Sequence, residues 1–162
     1  MPARVRQHIV SYTELDDPTE LSPDEAQLLH AARQAASQAH APYSHFRVGC
    51  SLLLSTGEVL TGNNQENVAF PSGLCAERVA LFYAGAMGKV HLVRKIAVWA
   101  ASDKAPEASI PTSCGACRQV MVEYEKQGGE PWIILFQGAS GSILRMEGVA
   151  TSLVPFAFEG RF

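Results

Sequence analysis

The chain has 162 residues, 47% of them apolar and 18% charged, with a formal net charge of −3. That length suits one domain with a sizeable core spanning residues 1–162, and the composition excludes a disordered chain. The acidic balance gives no electrostatic footprint for a nucleic-acid backbone, and no apolar run is long enough to span a bilayer.

Residues 1–20 read as a polar N-terminal extension with one strand-like run, "HIVSYTEL", and no assigned role. Its start, "MPARVRQHIVSYTEL", has no apolar h-region, so the expected compartment is the cytoplasm, where thiols stay reduced. Ser22 and Pro23 fit the N-cap and first position of a helix running to about Gln38. Leu28, Leu29, Ala32, Ala35, Ala36 and Ala39 give that helix an apolar stripe. "APYSHF" is a loop, and "FRVGCSLLL" and "VLTGNN" flank "STGE" as a β-hairpin. A helix follows from Cys75 to about Ala86, then a buried strand, "RKIAVWAA", and a loop, "PEASIPTS". A further helix runs from about Gly115 to Lys126, ahead of Gly128, Gly129 and Pro131. "WIILF" and "SILRM" are the last strands. Their link "QGASG" is too short for a parallel crossover, so the pair should be antiparallel. The order predicts a three-layer α-β-α sandwich around a mixed five-stranded sheet.

The chemistry concentrates at two predicted helix starts. "PSGLCAERVALFYAGA" places Cys75, Glu77 and Arg78 in a first turn, and "SCGACRQVMVEY" places Cys114 and Cys117 in another. Reduced thiols favour metal binding or catalysis over disulfides. Each piece has a plainer reading. A lone buried cysteine is usually a small hydrophobe, and C-x-x-C can be a redox pair. Three thiols at two helix starts shift the balance, because free N–H groups and the helix dipole stabilise thiolates there. Three thiolates suit zinc and leave a fourth tetrahedral position for water, the mark of a catalytic site. Bound zinc lowers the pKa of water towards about 7. Glu77, two residues after Cys75, is then the carboxylate placed to take a proton. Arg78 offsets part of the negative charge of three thiolates around one zinc. A structural zinc closed by all four cysteines, Cys50 included, is the rival from another class, and it leaves Glu77 without a task.

The spacing matches the zinc-deaminase pattern of a ligand, one residue, Glu, then C-x-x-C. Through "APYSHFRVG", "GNNQENVAFPSGLCAERVALF", "CGACRQ" and "SLVPFAF", from about Ala41 to Phe158, the chain closely resembles the small homotetrameric cytidine deaminases. The resemblance implies one Zn2+ per chain on Cys75, Cys114 and Cys117, with Glu77 as proton shuttle. It implies hydrolysis of cytidine and 2'-deoxycytidine to uridine and 2'-deoxyuridine with release of ammonia, in pyrimidine salvage. It places Asn64 and Glu66 on the ribose 3'-hydroxyl, Phe46 on the pocket wall, and the backbone of Ala76 at the base edge. Arg78 matches the arginine that faces the thiolates. Phe158 matches a residue that enters a neighbour's site, so the implied assembly is a homotetramer with shared active sites. The implied partner is a free nucleoside, with no nucleic acid and no membrane. A carboxylate at the 3'-hydroxyl repels a phosphodiester there, and so disfavours polynucleotide. Another cytosine-bearing small molecule, such as a nucleoside antibiotic, is the nearest rival substrate.

Two positions depart from the family pattern. Ser113 stands where Pro usually precedes the first Cys of C-x-x-C, with Pro111 two residues earlier. Cys50 stands where a small Ala is usual, and reads as strand core.

Overall fold

The computed structural model describes residues 3–102, 104 and 110–158. Its sheet has six strands: β1 (Thr13–Leu15), β2 (Phe46–Leu54), β3 (Val59–Asn63), β4 (Val93–Ser102), β5 (Ile133–Gly138) and β6 (Ile143–Glu147). Their spatial order is β1-β6-β5-β4-β2-β3. Only the β4–β5 pair is parallel; the others are antiparallel, including the β5–β6 hairpin expected from its short link. Among the described residues, four α-helices accompany the sheet: α1 (Pro23–Ala36), α2 (Ala76–Ala86), α3 (Gly115–Gly128) and α4 (Val149–Ser152).

The expected count of five strands is corrected by β1. Thr13, Glu14 and Leu15 pair with Arg145, Leu144 and Ile143 on the edge of β6. Leu15 is buried and joins Leu21, Leu28, Leu29, Leu135 and Ile143 in one core cluster, so part of the N-terminal extension belongs to the sheet. β1 is the end of the strand-like run "HIVSYTEL"; the sequence marks that run but not its place in the sheet, because a run this short takes its place only from its partner. The first helix ends at Ala36, earlier than the expected Gln38, in a turn around Ser37. Of the expected loop "PEASIPTS", residues 106–109 lie outside the described residues, and 110–113 carry neither helix nor strand.

The sheet separates two apolar layers. Along β2, Cys50, Leu52 and Leu54 face α2 and α3 together with Ile96, Val98, Ile134 and Phe136. Ser51 points to the other face, where its hydroxyl donates to the Leu28 carbonyl of α1 at 2.7 Å. The period-2 alternation of a strand thus gives each face of the sheet its own helical cover. Two glycines set how closely the helices approach. A Cβ on Gly49 would lie 1.9 Å from the Ala32 carbonyl oxygen of α1. One on Gly62 would lie 2.6 Å from the Ala80 nitrogen of α2. Since Gly62 pairs with Cys50, this close approach docks α2 on the hairpin and fixes the helix that carries Cys75 and Glu77.

Helix ends are built from the chain's own polar groups. The Ser22 N–H donates to Glu25 at 3.3 Å, with Pro23 at the first position of α1. At the other end of the sheet, Glu125 accepts from the N–H groups of Trp132 and Val149, both at 2.8 Å, tying α3 to the start of α4. No helix among the described residues is long and apolar enough to cross a membrane.

Candidate active site

The N-termini of α2 and α3 meet beside the C-terminal half of β4. Cys75 and Cys114 are the N-cap residues of these helices, both with extended backbone (φ −70°, ψ 154° and φ −67°, ψ 163°). Cys117 follows one turn into α3, and its N–H donates to the Cys114 sulfur at 3.5 Å. A cap residue sits where helical N–H groups lack intrahelical acceptors, so its side chain lies in positive potential. The sulfurs of Cys75 and Cys114 are 3.8 Å apart and those of Cys114 and Cys117 3.3 Å apart. All three ligand atoms lie within 4.8 Å of one another, and all four cysteines are free thiols.

The electrostatics of this trio call for a cation. The Cys75 thiol is pulled down to about 5, first by its hydrogen bond with Cys117 and also by Arg78 and Cys114. The hydrogen bond with Cys75, then burial and the charge of Glu77, push the Cys117 thiol up. The two neighbouring thiols are thus shifted in opposite directions. A soft divalent ion removes that conflict by replacing the protons, and three sulfurs are a donor set that suits zinc. Arg78 supports the same charge pattern: its Nη2 donates to the Cys75 sulfur at 3.5 Å. Cys50 stays apart. It is fully buried in the strand core, burial raises its pKa well above the usual thiol value, and the thiol cluster of the described residues does not include it. The thiols that cluster among the described residues are thus three, with Cys50 outside them.

Glu77 is 4% exposed and borders the cavity next to the sulfurs. Burial is the main cause that raises its pKa. A carboxyl so raised changes protonation state closer to neutral pH than an exposed one, which suits proton transfer.

The cavity itself is about 860 Å³, within the range of small-molecule sites. Phe46, Asn64, Glu66, Cys75, Glu77, Arg78 and Cys114 all line it, so residues spread over half of the chain converge on one space. Glu66 accepts from the Tyr43 N–H at 2.9 Å, the Ser44 N–H at 3.3 Å and the Ser44 hydroxyl. The Ser44 and Tyr43 bonds hold its pKa below the usual carboxylate range. Asn64 is engaged at both ends of its amide. Its Oδ1 accepts from the Val48 N–H at 2.8 Å and its Nδ2 donates to the Phe46 carbonyl at 2.9 Å, so it also clamps the strand that carries Phe46. Ala76 is fully buried; as the first residue of α2, its N–H has no intrahelical acceptor. Phe158 does not reach its own chain's cavity. Its residue is 72% exposed, with its carbonyl accepting from Gln119 at 3.0 Å.

Several lining residues escaped the sequence reading. Tyr43 and Phe70 meet edge-to-face at the mouth, with ring centroids 6.0 Å apart. His45, between Ser44 and Phe46, has φ +58°, the one positive φ among the described non-glycine residues. This left-handed turn lets the short "YSHF" stretch send Ser44 to Glu66 and Phe46 to the cavity wall. Arg118 grips the loop before Cys114: Nε donates to the Ser113 carbonyl at 2.7 Å and Nη2 to the Thr112 hydroxyl at 3.1 Å. The Arg that follows C-x-x-C was the available signal for that grip.

Known proteins match this geometry. The family profile described as "Cytidine and deoxycytidylate deaminase zinc-binding region" covers residues 22–127. A cytidine deaminase of Halalkalibacterium halodurans is 46% identical over 100 residues, 62% of this chain and 71% of that protein. The crystal structure of cytidine deaminase from Burkholderia pseudomallei superposes with a TM-score of 0.70 at 35% identity, covering 82% of this chain and 97% of that one. The structure from Mycobacterium tuberculosis gives 0.65 at 31% identity, covering 86% and 100%. With a buried carboxylate beside three clustered thiols and this match along most of its length, the chain belongs to the cytidine and deoxycytidylate deaminase family, as a zinc-dependent hydrolase that deaminates cytidine.

Proposed function

We propose that the chain acts on free cytidine and 2'-deoxycytidine in pyrimidine salvage, as a single cytoplasmic domain assembled into a homotetramer with shared sites. The observation that carries the catalytic reading is the placement of buried Glu77 with Cys75 and Cys114 on the cavity lining, where the Cys117 sulfur clusters with theirs from behind.

Cys75, Cys114 and Cys117 hold the zinc, and Arg78 balances their charge. When bound there, zinc supplies a water activated for attack near neutral pH. Glu77 takes up a proton from the attacking water and delivers it to N3 of the ring as the oxygen adds to C4. Glu77 then carries the second water proton to the amino group, which leaves as ammonia. The products are uridine or 2'-deoxyuridine, so the atoms balance as nucleoside plus water against product plus ammonia. Because burial favours its neutral form, Glu77 can retain a proton between the two transfers. The Ala76 N–H is free to address the base edge. Phe46 packs on the nucleoside, and Glu66, already oriented by Ser44 and Tyr43, accepts from the sugar hydroxyl together with Asn64.

The shared site is supported by what lies exposed. Phe82 and Tyr83 project from α2 and Met87 from its C-cap, and Phe156 and Phe158 from the C-terminal segment. Clusters of exposed aromatic side chains are commonly covered by another chain. Phe158 lies outside its own cavity, which leaves it free to enter a neighbour's. Substrate choice tests the reading. Cytidine and 2'-deoxycytidine should be converted, whereas cytidine 3'-monophosphate and single-stranded DNA should be poor substrates. Efficient editing of an oligonucleotide would contradict the free-nucleoside assignment.

A further inference from the structure

An ionised carboxylate only accepts hydrogen bonds, and it has about four positions for them, two on each oxygen. In Glu66, three of these are filled from one short stretch of the chain. The Tyr43 and Ser44 N–H groups donate to Oε2, at 2.9 Å and 3.3 Å, and the Ser44 hydroxyl meets Oε1. The other contact of that hydroxyl fixes its direction. Ser44 Oγ accepts from the Phe46 N–H at 3.0 Å, so its own proton goes to Glu66. One acceptor position remains, on Oε1, the oxygen that Ser44 holds. Ser44, Phe46 and Glu66 all line the cavity. The positive φ of His45 lets Ser44 meet Glu66 while Phe46 stays on the wall. The Phe46 carbonyl accepts from Asn64 Nδ2 at 2.9 Å, so the stretch is fixed at its far end as well.

We propose that Ser44 is a positioning residue that sets substrate specificity: its hydroxyl turns Glu66 so that one acceptor position is left for the 3'-hydroxyl of the sugar. A single free acceptor takes one O–H donor and offers nothing to an acceptor. A 3'-hydrogen leaves the carboxylate unmatched, and a 3'-phosphate brings negative charge onto it. Ser44 touches no reacting atom and acts through Glu66. An alanine there would keep the two N–H groups on Oε2 but leave Oε1 without its guide. The inference rests on the reading of Glu66 as the group that meets the sugar hydroxyl.

The test measures kcat/KM per bound zinc for cytidine and for 3'-deoxycytidine, and takes their ratio as the preference for the 3'-hydroxyl. It compares the parent, Ser44→Ala, Ser44→Thr, Glu66→Ala and the double variant Ser44→Ala with Glu66→Ala. Ser44 lies in an exposed loop, so these changes at position 44 leave the core alone. The parent should prefer cytidine by more than about tenfold, the size of one hydrogen bond to a charged group. Ser44→Ala should lower that preference about fivefold, through a raised KM for cytidine, with kcat within about twofold. Ser44→Thr keeps a hydroxyl and should hold the preference within about twofold of the parent. In the Glu66→Ala background, Ser44→Ala should change the preference by less than about twofold, because the group it guides is gone. An equal loss on both nucleosides in Ser44→Ala would reduce the residue to a support of the Phe46 wall and overturn the inference. So would an unchanged preference. Either result, with the parent's preference intact, leaves Glu66 on the sugar. A parent with no preference would remove Glu66 from the 3'-hydroxyl, and Ser44 with it.

Discussion

The two ends of the cavity are built on different principles. The sulfur end is assembled at two helix starts, one of them docked on the sheet through the Gly62 contact, and Glu77 is buried there. The mouth is assembled from loops: Tyr43 and Phe70 are exposed, Glu66 is held by backbone N–H groups and a serine, and Phe158 lies outside altogether. Chemistry that shifts protons and holds an ion gains from low dielectric and fixed geometry. Admission and release of a substrate need a wall that opens, and loops and neighbouring chains provide one. The contrast predicts that changes at the sulfur end act on turnover and metal, and changes at the mouth act on binding.

The largest expected effect is at the sulfur end. Cys114→Ala removes the sulfur that lies close to both others, so bound zinc and cytidine turnover should be lost together. Elemental analysis beside an activity assay checks this. Full zinc content in the variant would break the three-sulfur assignment.

At the mouth, Phe158→Ala should weaken nucleoside binding by roughly 5–150-fold, about 1–3 kcal/mol, with zinc content unchanged. Coexpression with a Glu77→Gln chain shows whose site the ring serves. Mixed oligomers then contain sites with intact Glu77 from one chain and intact Phe158 from another. Their specific activity should exceed the weighted mean of the parents; equality, with mixed oligomers demonstrated, would return Phe158 to its own chain.

Asn64 joins the two ends, since it lines the cavity and also clamps β2. Asn64→Ala leaves the Val48 N–H and the Phe46 carbonyl without their side-chain partners. Stability should fall by about 1–3 kcal/mol, read from denaturant unfolding, along with any effect on KM. An unchanged midpoint with a raised KM would assign Asn64 to the sugar alone.

The smallest effect on catalysis is expected at Cys50. Cys50→Ser should retain zinc and turnover, at a stability cost of about 1–3 kcal/mol for a hydroxyl placed in an apolar strand core. Loss of zinc in that variant would reopen the four-cysteine site.

The sulfur end was readable from sequence because its parts are local. Spacing within one helical turn puts Glu77 near Cys75 and Cys117 near Cys114, and the flanking Gly73 and Gly115 mark where the helices begin. The strands β2 to β6 were readable for a similar reason, since each carries its own run of apolar residues. β1 was readable as a strand-like run but not as a member of the sheet, because its pairing with β6 is remote in the chain, and α4 was not readable, because four residues show no helical period. The partners of Glu66 were equally hidden: Tyr43 and Ser44 lie more than 20 positions away in the chain and reach it through the left-handed turn at His45.

The central claim is that a buried carboxylate moves the protons beside a three-sulfur zinc site. Its most direct test measures bound zinc and ammonia release from cytidine for the metal-replete protein and for Glu77→Gln. Both should hold about one zinc per chain, as one three-sulfur site requires. The parent should release one ammonia per uridine formed, while the variant should be slower by about 10²–10⁴-fold, the usual worth of general acid–base catalysis. A zinc-loaded parent that releases no ammonia, or a variant that matches it, would contradict the claim.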